Sequence, residues 1–261
     1  MLNVQDFLII GGPPRSGTRF ITNALNTHSN VVIQGEMHPN VLETTLDYLH
    51  RNNEFYKNIE EKKKDEVSSK IWKRKRAALF YQMICAGQKH GVKSTPKNTN
   101  LIGFKLPRVE LRALSMARAV GGFKFLYCLR NFEAHFLSCA SRWNSKIDKV
   151  AEQYRISIAT ALEMLSRDEI DFTAFSLDRM KADDRLHLAH VAARLKLSES
   201  EVWLKNIDPT RKANQAEKFV SDKRVSLTKE EKAFMADNSD LNDLYETFWT
   251  AYDTVQNGRN I

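Results

Sequence analysis

A short glycine-rich stretch near the start of the chain constrains the fold more than any other feature. The segment GGPPRSGTR, from Gly11 to Arg19, follows an apolar run and precedes apolar residues at helical spacing. A buried strand, a glycine loop and a helix in this order present backbone N–H groups and the positive end of a helix dipole to an anion. The sequence therefore predicts an anion site at the carboxyl end of the first strand.

The loop differs from the loop that binds nucleoside triphosphates with magnesium. Gly12 and Gly17 have the G-x-x-x-x-G spacing, but Thr18 stands at the position of the phosphate-binding Lys, and Arg19 at that of the magnesium-binding Ser or Thr. Magnesium-dependent relatives usually carry an Asp at the end of another core strand. Here the clearest strand, residues 124–129, is followed by Arg130. We therefore expect arginines in place of a metal, and no metal site.

Apolar runs and helical patterns alternate along the chain. The predicted strands are residues 7–10, 31–34, 102–106, 124–129 and 172–177, and the predicted helices are 17–27, 41–88, 108–120, two within 132–167, and 183–195. Capping boxes at Ser198 with Glu201 and at Thr228 with Glu231 predict two further helix starts, the second helix reaching about residue 253. Alternating strands and helices favour one α/β domain over residues 1–261, with a central parallel sheet flanked by helices.

Composition limits the function classes. A hydrophobic content of 42% excludes a disordered protein. The net charge of +8 and the pI of about 9.3 favour anionic ligands such as nucleotides, sulfated or phosphorylated sugars, nucleic acid or a membrane face. The basic segment Lys62–Arg76 holds eight Lys or Arg against two acids. It is predicted to be a solvated helix face, with a surface for an anionic glycan, a membrane or nucleic acid as the alternatives.

The cysteines and the apolar runs indicate the compartment. Cys85, Cys128 and Cys139 show neither metal-ligand spacing nor a disulfide framework, and Cys128 is predicted to be a core residue. No apolar run approaches the roughly 20 residues that span a bilayer, and no basic region precedes the first apolar run, so no signal peptide is predicted. The cytoplasm is therefore the expected location.

Several of these motifs resemble the sulfotransferases that use 3′-phosphoadenosine 5′-phosphosulfate (PAPS). PRSGT after an apolar strand resembles their 5′-phosphosulfate loop, and Arg130 with Ser138 eight residues later resembles their 3′-phosphate motif. Arg142 matches the branch that contains the tyrosylprotein sulfotransferases, and the layout is similar to that of carbohydrate and rhizobial oligosaccharide sulfotransferases. The resemblance extends from Phe7 to Leu197 and implies a P-loop-like sulfotransferase fold.

The resemblance also implies roles for individual residues. VVIQGEMHPN corresponds to the segment with the catalytic base, Glu36, and IGFKLPR to the segment with a catalytic lysine, Lys105. The implied donor site consists of the loop residues Arg15, Ser16, Gly17, Thr18 and Arg19, whose backbone N–H groups from Ser16 to Arg19 would hold the 5′-phosphate, and of Arg130, Ser138 and Arg142 at the 3′-phosphate. Arg15 and Lys105 would stabilise charge on the leaving group.

Alternatives stay open at several of these positions. His38 is the other candidate base, and Lys105 is also consistent with a plain surface lysine at a strand end. Asp178 stands where the family more often has Glu, and Arg211 with Lys212 corresponds to a basic loop over the nucleotide but lacks the glycine that follows it in cytosolic enzymes. His187 and His190 lie three residues apart without a third ligand, so they are not predicted to bind a metal.

The implied function is transfer of a sulfuryl group from PAPS to a hydroxyl or amine acceptor, such as a carbohydrate or small molecule. Residues 38–100 would line the acceptor side, and residues 226–254 would form a C-terminal helix. The alternatives are a magnesium-dependent nucleotide kinase and a basic nucleic-acid-binding protein. Nucleic acid is not an expected partner, a peripheral membrane contact stays open, and the sequence does not indicate an oligomeric state.

Overall fold

The computed structural model describes residues 7–63, 66–86, 99–120, 122–183, 185–207 and 224–258, with the backbone alone for 55–63, 66–74 and 77. Its centre is a five-stranded sheet of order β2-β3-β1-β4-β5 in which every pairing is parallel. The strands are β1 (Phe7–Gly11), β2 (Val31–Glu36), β3 (Leu101–Lys105), β4 (Phe123–Leu129) and β5 (Ile170–Ser176). The predicted single α/β domain with a parallel sheet is confirmed.

Helices connect the strands and cover both faces of the sheet. They are α1 (Thr18–Leu25), α2 (Pro39–Lys63), α3 (Glu66–Ala86), a 3₁₀-helix (Val109–Arg112), α4 (Ala113–Val120), α5 (Phe132–Trp143), α6 (Ile147–Leu165), α7 (Leu177–Ala182), α8 (Leu186–Arg194), α9 (Ser200–Lys205), α10 (Lys229–Asp237) and α11 (Asp240–Gly258). Parallel strands need such crossovers, and buried faces on both sides explain why the strands read as continuous apolar runs.

The two faces of the sheet bury two separate hydrophobic clusters. Side chains alternate along a strand, so Phe7 and Ile9 of β1 pack with α2 to α6 and α11, whereas Leu8 and Ile10 pack with α1, α8 and α9. Cys128 of β4 is fully buried in the second cluster, which confirms its predicted place in the core.

Several predicted boundaries are wrong. The fifth strand ends at Ser176, because its hydroxyl accepts hydrogen bonds from the Asp178 and Arg179 amides and starts the short helix α7. No side chain caps α9: Glu199 precedes it with a left-handed backbone, so the capping box at Ser198 is wrong. The box at Thr228 is present, but the predicted long helix is divided between α10 and α11.

The carboxyl edge of the sheet collects the chemistry-bearing segments. β1 is the central strand and leads into the glycine loop, and β4 beside it leads into Arg130. On the other side, β2 and β3 end with Glu36 opposite Lys105, after a bulge between Ile33 and Glu36. Ligands of open α/β sheets bind at this edge, so the fold brings the predicted site residues to one place.

Candidate active site

The glycine loop has a backbone that other residues would not easily adopt. Gly12 and Gly17 have φ angles of 125° and 108°, and Arg15 between them is also left-handed, with a φ of 72°. A Cβ atom on Gly12 would lie 2.1 Å from the carbonyl oxygen of Cys128, so the loop passes too close to β4 for any side chain there. The glycines therefore fix the path of the chain from β1 into α1.

The loop leads into the first turn of α1, where backbone amides have no partner within the helix. The first intrahelical bond runs from the Ile21 amide to the Gly17 carbonyl at 3.2 Å. The Ser16 side chain is fully buried, and its hydroxyl has no hydrogen-bond partner within the described part of the chain. An orphaned buried hydroxyl beside a helix N-terminus fits an anion that supplies the missing partner.

The Ser16 amide, which the sequence assigned to the 5′-phosphate, has a partner within the loop. The Ser16 amide donates to the Pro13 carbonyl at 3.2 Å, closing a turn inside the loop. This amide is thus used by the protein itself, whereas the Ser16 hydroxyl has no partner among the described residues and the Thr18 side chain is buried.

Arg15 joins the two halves of the predicted donor site. Its Nε donates to the hydroxyl oxygen of Ser138 on α5 at 3.1 Å, so the loop and the Arg–Ser motif are in direct contact. Cys139 also touches the loop, with its sulfur 3.7 Å from the Pro14 carbonyl. The sequence analysis assigned Arg15 to the 5′ end of the donor and Ser138 to its 3′ end. The structure brings both residues to one wall, which consists of the glycine loop and the side of α5 that contacts it.

This wall carries a concentrated positive charge. Burial lowers the pKa of Arg15, the nearby Cys139 opposes this, and the charges of Arg142, Arg130 and Arg19 lower the pKa further. A guanidinium stays protonated in spite of such shifts. The mutual repulsion of these cations is unfavourable, and a bound polyanion would relieve it.

Arg130 is held at the end of β4 by two residues from other elements. Its Nε lies 3.6 Å from a carboxylate oxygen of Asp178, whose second oxygen accepts the Asn131 amide at 2.8 Å. The Tyr154 hydroxyl donates to the Arg130 carbonyl at 2.7 Å. The sequence analysis identified Asp178 only as a residue at a position where the family more often has Glu, and it did not identify Tyr154. The contacts of both residues join segments that are far apart in the chain, so no local pattern predicts them.

Glu36 and Lys105 form a pair on the opposite side of the loop. Lys105 Nζ lies 3.4 Å from Glu36 Oε2, and their side chains are 15% and 34% exposed, respectively. The lysine is therefore not a plain surface residue, although its catalytic role stays a prediction. The pair lies on neighbouring strands, so the lysine can hold the carboxylate while a substrate reaches its exposed part.

The histidines separate into different environments. His38 is exposed at the start of α2 and accepts the Asn40 amide at Nδ1, 3.2 Å away. His187 is buried and accepts the Ser176 amide at Nε2, 2.9 Å away, which gives it a structural function. Burial lowers the pKa of His187 to about 4, a shift that the positive charges of Arg179 and His190 reinforce and Asp183 and Asp253 oppose.

His135 is a buried residue of the site that the sequence reasoning missed. It lies on α5, one turn before Cys139, with its Nε2 3.8 Å from that sulfur. Burial, followed by the charges of Arg130 and Arg15, lowers its pKa to about 3, so the imidazole is neutral. His135 lies three residues before Ser138, and this spacing puts both residues on one face of α5. The spacing could have identified His135 from the sequence.

Some predictions fall outside the described residues. Arg211 and Lys212 lie there, as do the side chains of the basic segment Lys62–Arg76 except those of Lys75 and Arg76. Within the described ranges, no helix is long and apolar enough to cross a membrane. The same residues contain no group of three or more His, Cys, Asp or Glu side chains arranged to hold a metal ion.

These features define an α/β protein of the P-loop-like type, with a cluster of arginines at the carboxyl edge of a parallel sheet. Residues 8–192 match the Sulfotransferase family, and the chain belongs to this family. It is therefore an enzyme that transfers sulfuryl groups, and no finding supports the kinase or nucleic-acid-binding alternative.

Solved structures with a similar chain path include three proteins at low identity. Sulfotransferase STF9 from Mycobacterium avium is 12% identical, with a TM-score of 0.47 over 78% of this chain and 68% of that one. Mouse sulfotransferase SULT7A1 complexed with PAP is 11% identical, with a TM-score of 0.41 over 86% and 68%. Retinol dehydratase in a complex with retinol and PAP is 12% identical, with a TM-score of 0.46 over 95% and 82%. No curated protein matches the chain.

Proposed function

We propose that the enzyme transfers the sulfuryl group of PAPS to a hydroxyl or amine of an acceptor. The observation that carries this proposal is the contact between Arg15 and Ser138, because it joins the loop for a 5′-phosphosulfate to the motif for a 3′-phosphate. A donor with phosphates at both ends of one nucleoside fits such a continuous cationic wall. The buried Ser16 hydroxyl, which has no partner among the described residues, adds a hydrogen-bond donor within the loop.

The 5′-phosphosulfate is assigned to the loop and to the first turn of α1. Thr18, Arg19 and the helix dipole stabilise its negative charge, and the Arg15 guanidinium lies beside it. The 3′-phosphate is assigned to Arg130, Ser138 and Arg142. The ion pair between Asp178 and the Nε of Arg130 orients the guanidinium, and its two terminal NH₂ groups can donate to a phosphate.

The acceptor is activated by Glu36. Its carboxylate takes the proton from the acceptor hydroxyl or amine as a bond forms between the acceptor atom and the sulfur. The bond between the sulfur and the bridging oxygen breaks, and adenosine 3′,5′-bisphosphate leaves with the electron pair. Lys105 and Arg15 stabilise the charge that develops on that oxygen, so catalysis depends mainly on positioning and electrostatics. Arginines and Lys105 supply the positive charge that a magnesium ion supplies in kinases, and the reaction is proposed to be metal-independent.

The acceptor side is assigned to residues 38–100, which include α2 and α3, and the C-terminal helix to residues 226–254. The proposed acceptor is a carbohydrate or small molecule, and no nucleic-acid partner is proposed. The cytoplasm is the proposed compartment, because the three cysteines are all unpaired thiols.

The test is binding of the product nucleotide without magnesium. Adenosine 3′,5′-bisphosphate at a hundredfold excess over its dissociation constant should stabilise the protein by about 2.7 kcal/mol, a clear rise in melting temperature. ATP with magnesium is the control ligand and should give a much smaller shift. Stabilisation by ATP with magnesium but not by the bisphosphate would refute the proposed donor.

A further inference from the structure

Glu110 is a fully buried carboxyl group of the 3₁₀-helix, and the roles proposed above do not use it. Among the described residues, no Lys or Arg forms an ion pair with it, although the charge of Arg108 acts on it from the same segment. Burying a carboxyl group without a paired cation is costly, so its hydrogen bonds must compensate. Those hydrogen bonds lead directly to the glycine loop.

The two oxygens of Glu110 have different partners. Oε2 accepts the backbone N–H of Gly12 at 2.9 Å, and Oε1 accepts the hydroxyl of Ser157 on α6 at 2.5 Å. The Ser157 hydroxyl also lies 2.9 Å from the hydroxyl of Tyr127 on β4. Burial raises the pKa of Glu110, and the bonds from Ser157 and Gly12 oppose that shift. One carboxyl oxygen thus faces Ser157 on α6, and the other faces the start of the loop.

Gly12 is held on both sides by the segment that follows β3. Its N–H donates to Glu110, and its carbonyl accepts the Arg108 amide at 3.0 Å. Gly12 needs its positive φ and has no room for a side chain, so this peptide determines the direction in which the loop leaves β1. An error in this direction would displace every amide of the loop and of the first turn of α1.

We infer that Glu110 is a positioning residue, which holds the first peptide of the glycine loop in the conformation that binds the donor phosphosulfate. The inference rests on the proposed function, because it assigns the loop to the donor. A loop without this contact populates other conformations. The apparent donor affinity is then proportional to the fraction of molecules whose loop is in the binding conformation. The relevant property is the reach of the side-chain acceptor to the Gly12 amide, and its charge is secondary.

Two conservative variants separate reach from charge. Glu110→Gln keeps the length and an acceptor for Gly12, and its amide can donate to Ser157. Glu110→Asp keeps the carboxyl group but is one methylene shorter. Ser157→Ala is the matched control, because it removes the other partner of the carboxyl group and leaves the Gly12 contact in place. Each variant is measured by calorimetric affinity for adenosine 3′,5′-bisphosphate and by hydrogen exchange of the Gly12 amide.

The expected affinity losses are about threefold or less for Glu110→Gln and Ser157→Ala, and about tenfold or more for Glu110→Asp. The Gly12 amide should exchange faster in Glu110→Asp alone, and the Michaelis constant for the donor should rise more than turnover falls. The reverse order of the Gln and Asp variants, equal affinity in all proteins, or a loss in Ser157→Ala as large as in Glu110→Asp would overturn the inference.

Failure of the proposed function would be seen separately, because the parent protein would then not bind the bisphosphate. In that case the hydrogen exchange of the Gly12 amide tests the positioning role of Glu110. Faster exchange in Glu110→Asp than in Glu110→Gln supports its positioning role, and equal exchange overturns it.

Discussion

The Nε of Arg15 donates a hydrogen bond to the hydroxyl oxygen of Ser138 across 3.1 Å, although 123 residues separate the two in the chain. Arg15 comes from the loop after β1, and Ser138 comes from the helix after β4, the neighbouring strand. The contact makes the two predicted phosphate sites energetically dependent on each other. Substitutions at these positions should therefore not have independent effects.

A double-mutant cycle tests this dependence. Arg15→Ala, Ser138→Ala and the double variant should show a coupling of about 1 kcal/mol in the free energy of bisphosphate binding, because removing either partner already loses the shared contact. Ser141→Ala on the same helix is the control, since its hydroxyl donates to the Leu137 carbonyl instead. If the coupling energy of Arg15 with Ser141 equals that with Ser138, the contact between Arg15 and Ser138 does not link the two phosphate sites.

Arg130 should determine how the enzyme recognises the 3′-phosphate. Arg130→Ala should weaken PAPS binding by roughly 10- to 150-fold, the value of a hydrogen bond to a charged group. Binding of adenosine 5′-phosphosulfate, which lacks the 3′-phosphate, should barely change, so the preference between the two donors should shrink. Competition binding of both donors measures this ratio.

Two controls accompany that measurement. Arg15→Ala should weaken both donors, with a small additional loss for PAPS through Ser138. Arg155→Ala removes an arginine that pairs with Asp240 and should change neither affinity. Equal weakening of both donors by Arg130→Ala would remove Arg130 from the 3′-phosphate site.

Glu36 should act on turnover and leave donor binding intact. Glu36→Gln keeps the shape of the side chain but removes the base, so turnover should fall by roughly 10²- to 10⁴-fold. The affinity for the bisphosphate should stay within about twofold, because the acceptor proton is not on the nucleotide. Single-turnover transfer from labelled donor and calorimetric binding measure the two quantities.

The control for Glu36 is Glu163→Gln, because Glu163 of α6 forms an exposed ion pair with Arg167, outside the segment assigned to the acceptor. It should retain full turnover. His38→Ala should retain at least half of the turnover. An active Glu36→Gln enzyme together with an inactive His38→Ala enzyme would assign the base to His38.

The order of the elements and the place of the loop were predictable because they depend on local patterns. Apolar runs, helical spacing and the glycines of GGPPRSGTR are features of neighbouring residues, and the parallel sheet then brings Glu36, Lys105 and Arg130 to one edge. Register completes the arrangement, since Glu36 is paired with Lys105 on the adjacent strand. The Glu36–Lys105 contact thus follows from the sheet once the strand order is known.

The contacts that hold the site in place were not predictable from the sequence. Glu110 and Gly12 are hydrogen-bonded although 98 residues separate them in the chain, and Asp178 and Asn131 although 47 residues separate them. No local spacing pattern therefore predicts either contact. The capping box at Ser198 failed for a related reason. The Ser198 hydroxyl oxygen accepts the side-chain amide of Asn30 at 3.4 Å, and the Ser198 carbonyl accepts a hydrogen bond from His28, so both groups contact a segment that is distant in the chain.

His187 should make the stability of the protein depend on pH. Burial lowers its pKa from the ordinary 6.5 to about 4, so the native imidazole stays neutral in a range where the unfolded chain binds a proton. Its stabilising effect is present above about pH 6.5 and is lost as the pH falls toward 4. Between pH 7 and pH 5 the loss is about 2 kcal/mol in the free energy of unfolding.

His187→Gln tests this, because Gln accepts the Ser176 amide without titrating. Urea unfolding at pH 7, 6 and 5 should show about half the parent's pH dependence in this variant, since His135 contributes over the same range through its own lowered pKa. The control is His190→Gln, an exposed histidine on the same helix, which should keep most of the dependence because burial is the main cause of the His187 shift. If His187→Gln unfolds with the parent's pH dependence, the native His187 is not the neutral acceptor of the Ser176 amide, and the acid sensitivity arises elsewhere in the protein.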